Sequence, residues 1–180
     1  MATSTTGRIG YPSALHVDWH TGFALVLSAA LPLAAFAIVN GIAEANGNPP
    51  LYFSPMGLPG WLGATLHLVS LPLFGIARWL VASHGPAGHK AGWWVVALIA
   101  GTIIFPFIVM PLDSVQLSMV AMGLFLLGLA AVVRVGAIEP RAAAIMAPGL
   151  AWMGFSALVG LSFAAAWAPP FAVTNSHPAS

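Results

Sequence analysis

Apolar residues in this chain fall into five long runs, Trp19–Ala43, Pro59–Ser83, Trp93–Met110, Ser114–Val135 and Pro140–Ala168. A helix rises about 1.5 Å per residue and needs about 20 residues to cross a hydrocarbon core about 30 Å thick. Each run is therefore read as a membrane-crossing helix, and the chain as one all-α domain with polar tails over 1–18 and 169–180.

The breaks between the runs carry helix-stopping chemistry. The first, EANGNPPLYFSPMGLPG, holds Pro49, Pro50, Pro55 and Pro59, which rule out a regular helix through it. The second, HGPAGHKAG, reads as a short hydrophilic loop. In the third, Pro111–Ser114, Asp113 or Ser114 can cap the fourth helix, and Gln116 stands three residues after Asp113, as a capping box requires. The fourth, Gly136–Pro140, ends on a proline suited to the first helical position. Pro72 lies inside the second run, where neighbouring helices must satisfy the freed carbonyl. The first run is too long for a signal-peptide core of about 7–15 residues and is read as a retained helix. Connections this short make consecutive helices antiparallel neighbours in a compact bundle.

The last run has a second level of pattern. It is uncharged from Ala142 to Ala168, contains Pro148, Trp152 and Trp167, and places Ser156, Gly160 and Ala164 at every fourth position. That spacing puts small residues on one face. The face can line a pocket or receive another helix.

Charge supports the count of five. Arg8, Arg78, Lys90, Arg134 and Arg141, all the basic residues of the chain, fall on one side of a five-helix topology. The opposite side carries Glu44 and Asp113. The positive-inside rule then sets the N-terminus in the cytoplasm and the C-terminus outside. Composition agrees with a membrane class: 59% of residues are hydrophobic and 5% charged, against about 25% charged in a soluble domain. A net charge of +1 offers no basic field for nucleic acid, and no cysteine is present for a disulfide or a thiolate site.

Candidate chemistry is sparse. His20 stands at the cytoplasmic start of the first helix, while His67 lies about 12 Å below the outer edge of the core. They are separated by roughly half the bilayer and cannot ligate one haem iron. His67 either bonds a neighbouring backbone carbonyl or meets a ligand. No carboxylate lies deep in a helix, so no acid-based proton path is indicated. Ser28, Ser70, Ser118, Ser156 and Ser162 have no evident base and acid partners, which leaves interhelical hydrogen bonding as their reading and no catalytic group. Most tryptophans lie near helix ends, as an aromatic belt requires; Trp61 and Trp152 are the two better placed for a flat hydrophobic ligand.

Three segments carry a resemblance to the TspO/MBR family, the tryptophan-rich sensory proteins and mitochondrial translocator proteins. The second helix reads LPGW at Leu58–Trp61 and GIARWLV at Gly75–Val81. The third ends in Pro106-Phe107, and the fifth reads PGLAWMGFSALVGLSFAAAW over Pro148–Trp167. The likeness covers about Pro50 to Trp167. It implies a five-helix bundle whose long first loop caps a pocket for porphyrins, sterols or synthetic ligands. Carried over position by position, it makes Trp61, His67, Phe125, Trp152 and Ser156 the ligand-binding candidates, with Pro59 and Pro148 as structural positions. The chain departs from the family pattern at Gly149, where an aromatic is usual, and at His67, Leu71, Gly101, Ile104 and Phe125.

The resulting expectation is a non-enzymatic bundle in a bacterial inner membrane. It has no metal and no required cofactor, and a porphyrin- or haem-type molecule is a candidate ligand. Its expected partners are the lipid bilayer, a hydrophobic small molecule, and a homodimer mate or larger membrane complex. Two alternatives are an accessory subunit of a redox or photosynthetic complex and a b-type cytochrome-like electron carrier.

Overall fold

The computed structural model describes residues 19–52, 54, 56, 58–109 and 111–167. The polar tails, with Arg8, His16 and Asp18, lie outside the described residues. Five helices account for nearly all the rest: α1 Trp19–Ala45, α2 Gly60–Ala82, α3 Gly85–Ile108, α4 Ser114–Gly136 and α5 Pro140–Trp167. All five are long and apolar enough to cross a membrane, and the protein is an integral membrane bundle with no strand among the described residues.

Four of the five helices begin and end within about two residues of the sequence expectation. The exception is α3, which starts at Gly85 and not at Trp93. The glycines that made 84–92 read as a loop have a packing role instead. Gly85 takes a left-handed φ of 68° to reverse the chain, and Pro86 follows within the first turn. A Cβ on Gly88 would run into the Val81 carbonyl, and one on Gly92 would lie 3.8 Å from Val81 Cγ1. The absence of side chains lets the first two turns of α3 lie directly against α2.

The capping box at α4 is fully formed. Asp113 Oδ1 accepts from the Val115 and Gln116 amides at 2.9 and 2.8 Å, and Gln116 Oε1 accepts from the Asp113 amide at 3.3 Å.

Helix α2 is the hub, in contact with α1, α3 and α5, while α4 and α5 pack along each other and α3 bridges α2 and α4. Helix α1 touches only α2 and α3 to any extent, and most of its surface faces outward. Its contact depends on a proline. Pro32 has no N–H to give the Ser28 carbonyl one turn earlier. That carbonyl lies directly against Gly75 of α2, where any Cβ would collide with it.

One core cluster, built on Phe74, Val81, Val95, Leu98, Val135 and Met146, fills the half of the bundle near the α2–α3 and α4–α5 turns. A second, Phe36, Leu71, Ile103 and Phe107, lies toward the first loop. The two short turns share one end of the bundle, since His84 Nε2 lies 3.4 Å from Glu139 Oε2 and the Arg134 guanidinium sits 4.5 Å above the Trp94 ring. Arg78, Lys90 and Arg141 belong to this end too, which agrees with the clustering of basic residues expected from sequence.

Candidate functional site

The end opposite the basic cluster carries the first loop. Asn46, Gly47 (φ 71°) and Asn48 terminate α1, the Asn48 amide donating to the Ala43 carbonyl at 2.9 Å. The loop then docks on α3. The Leu51 amide donates to the Pro106 carbonyl at 2.9 Å, and the Asn48 side chain donates to the Phe107 carbonyl at 3.2 Å. Ser54 fastens the far end of the loop, donating to the Pro59 carbonyl at 3.0 Å and accepting from the Gly63 amide at 3.2 Å.

Beneath the loop is a cavity of about 430 Å³, within the range of small-molecule sites. Its roof is Leu51, Tyr52, Ser54 and Met56; its walls come from α2, α3, α4 and α5. Ser156, Gly160 and Ala164 all line it, facing Ser118 and Ala121 of α4. The small-residue face of α5 thus points inward, and the volume those side chains lack is cavity volume.

The five residues expected at a site separate into two groups. His67, Trp152 and Ser156 line the cavity together. Trp61 does not: its side chain is 67% exposed on the first turn of α2, facing away from the bundle, as suits an aromatic at a membrane interface. Phe125 also stays out of the cavity. Its ring fills the space over Gly154, where a Cβ would come within 2.7 Å of Phe125 Cε2. The aromatic missing at Gly149 has a similar explanation. A Cβ there would come within 2.8 Å of Ser70 Oγ and 2.9 Å of Phe74 Cζ, so Phe74 of α2 occupies that space.

Tyr52, Met56, Thr102, Phe105 and Phe163 also line the cavity but were not singled out in the sequence. Of these, Tyr52 carried a signal, as an aromatic in a Pro-rich loop expected to cap a pocket. Burial pushes its phenol above the ordinary value of 10.0, so it remains a neutral hydroxyl across the physiological range.

His67 is the polar centre of the site. Its ring is 5.5 Å from the Tyr52 ring and 6.1 Å from the Phe36 ring, both edge-on. Pro106 offers no N–H to the Thr102 carbonyl one turn earlier, and Thr102 lines the cavity together with His67. The Nε2 atom nevertheless has no hydrogen-bond partner, although it is buried. The Ser156 hydroxyl is likewise buried and unpartnered. No group of three or more His, Asp or Glu among the described residues is arranged to hold a metal ion. The site can bind an apolar molecule by burial and orient it by two polar atoms.

Comparison with known proteins returns no matching family model, no matching curated protein and no matching solved structure.

Proposed function

We propose that this chain is a non-catalytic, TspO-like membrane protein that binds a hydrophobic small molecule beneath its first loop, with a sensory or transport-type role in a bacterial inner membrane. The observation that carries the reading is the cavity beside the first loop with two buried polar atoms that lack protein partners, on the neighbouring helices α2 and α5. Buried polar groups are nearly always hydrogen-bonded, to protein, water or ligand, so an atom without a protein partner at a cavity wall is available to whatever fills that cavity. The resemblance in α2, α3 and α5 adds the same expectation from an independent direction.

A fluorescence titration tests it. Methylpyrene added to the detergent-solubilised protein should quench tryptophan emission saturably. Trp152→Phe should remove most of that quenching, and Trp61→Phe should leave its saturable part unchanged. Identical titrations for the wild type and Trp152→Phe would overturn the assignment of the cavity as the site.

A further inference from the structure

The polar atoms of the cavity specify more than hydrophobicity. Helical hydroxyls in this bundle ordinarily satisfy themselves. Thr65, Ser70, Thr102, Ser118 and Ser162 each donate to the carbonyl four residues earlier, at 2.7–2.8 Å. The Ser156 hydroxyl is buried on the cavity wall and makes no such bond. Its hydroxyl can therefore give one hydrogen bond and receive others. On α2, which packs against α5, His67 Nε2 also has no protein partner, and His67 lines the same space.

Among the described residues, the lining of the cavity contains no Lys, Arg, Asp or Glu. Among the described residues, Arg78, Lys90, Arg134 and Arg141 all belong to the opposite end of the bundle. A carboxylate or phosphate taken into the cavity would lose its hydration without gaining a counter-ion.

From these observations, and resting on the pocket reading above, we propose that the site selects an uncharged, largely apolar ligand bearing a hydroxyl, held between His67 Nε2 and Ser156 Oγ, and that it rejects anionic ligands of the same shape. A hydroxyl both donates and accepts, so it satisfies the imidazole whichever ring nitrogen carries the proton, and satisfies the serine as well. A ketone or ether can only accept. A carboxylate can accept from both groups but remains an unpaired buried charge. This narrows the tetrapyrrole expectation, because porphyrins bearing ionised carboxylates fall in the rejected class.

Three probes of one shape distinguish the possibilities: pyrenemethanol, methylpyrene and pyrenecarboxylate. Each is titrated against the full chain in detergent with tryptophan emission as the signal. Each probe's partition coefficient is measured in protein-free detergent and its dissociation constant is expressed per concentration in the micelle, so that probes can be compared with one another. In the wild type, the alcohol should bind about tenfold more tightly than methylpyrene, the size expected when hydrogen bonds are supplied to buried unsatisfied groups. The carboxylate should bind at least about tenfold more weakly than methylpyrene. Ser156→Ala combined with His67→Phe should erase the preference for the alcohol while still binding methylpyrene. Ser156→Ala alone should leave the melting temperature of the ligand-free protein unchanged or raised, because it removes an unsatisfied buried group. Equal binding of alcohol and methylpyrene, or tightest binding of the carboxylate, overturns this inference and leaves the pocket reading standing. Failure of all three probes to bind overturns both.

Discussion

His84 and Glu139 join the two short turns at one end of the bundle, Nε2 of the histidine lying 3.4 Å from Oε2 of the carboxylate. Glu139 does more than pair with the imidazole. Its other oxygen accepts from the Arg141 amide at 3.0 Å, so the carboxylate also sits at the N-terminus of α5, where backbone donors are unsatisfied.

This dual position predicts unequal costs for the two partners. Glu139→Ala should destabilise the bundle by about 1 kcal/mol, mainly through loss of the helix cap. His84→Ala should cost less than half of that, because the pair is partly exposed and such pairs contribute about 0–1 kcal/mol. Thermal unfolding of both variants in the same detergent gives the comparison; equal losses would mean that the contact between the two side chains, and not the cap, dominates.

A second prediction concerns the seam between α1 and α2. Gly75→Ala places a Cβ against the Ser28 carbonyl, a backbone atom that cannot step aside, and should cost about 1–3 kcal/mol. Gly123→Ala on α4 meets nothing within 4 Å and should be neutral or stabilising by up to about 1 kcal/mol through helix propensity. Melting temperatures of the two variants should therefore move in opposite directions or differ by several degrees.

Filling the cavity should separate binding from stability. Gly160 lines the cavity, and a Cβ there lies 3.4 Å from Ser118 Oγ, so a small side chain fits but a large one takes the ligand's place. Gly160→Leu should abolish saturable quenching by methylpyrene while the protein still unfolds cooperatively. A variant that retains full binding would show that the ligand sits elsewhere.

Tyr52 sets an alkaline limit on the loop. Burial raises its folded-state pKa above the ordinary value of 10.0, so the folded protein holds the phenolic proton more tightly than the unfolded chain does. Its contribution is intact below about pH 10 and is lost as the pH rises through the folded-state value. Melting temperatures measured from pH 7 to 11 should fall at the alkaline end, and Tyr52→Phe should flatten that fall. An unchanged alkaline limb in Tyr52→Phe would assign it to other groups.

Much of the architecture was legible before any tertiary information. Run length and the absence of charge identified five crossings, Asp113 and Gln116 announced the start of α4, and the basic residues marked one end of the bundle. These are local signals: helix length, a cap three residues long and charge at a run's end do not depend on which helices are neighbours. The shape of the α5 inner face was legible too, since Ser156, Gly160 and Ala164 recur at helical spacing.

What each face meets depends on which helices become neighbours. The helices are apolar all round, so no amphipathic pattern distinguishes a lipid-facing side from an inward one. Trp61 and Trp152 look alike in sequence, yet the first faces outward and the second lines the cavity. Phe125 was expected at the site and instead fills the space left by Gly154, because the emptiness beside a glycine exists only once a second helix is placed. The α3 start was hidden for the same reason: Gly88 and Gly92 resemble a loop until α2 lies against them. Run length and charge placement along the chain are enough to give a five-helix membrane bundle with its cations at one end. Only packing brought His67 and Ser156 to a common cavity, with polar atoms that neither helix satisfies alone.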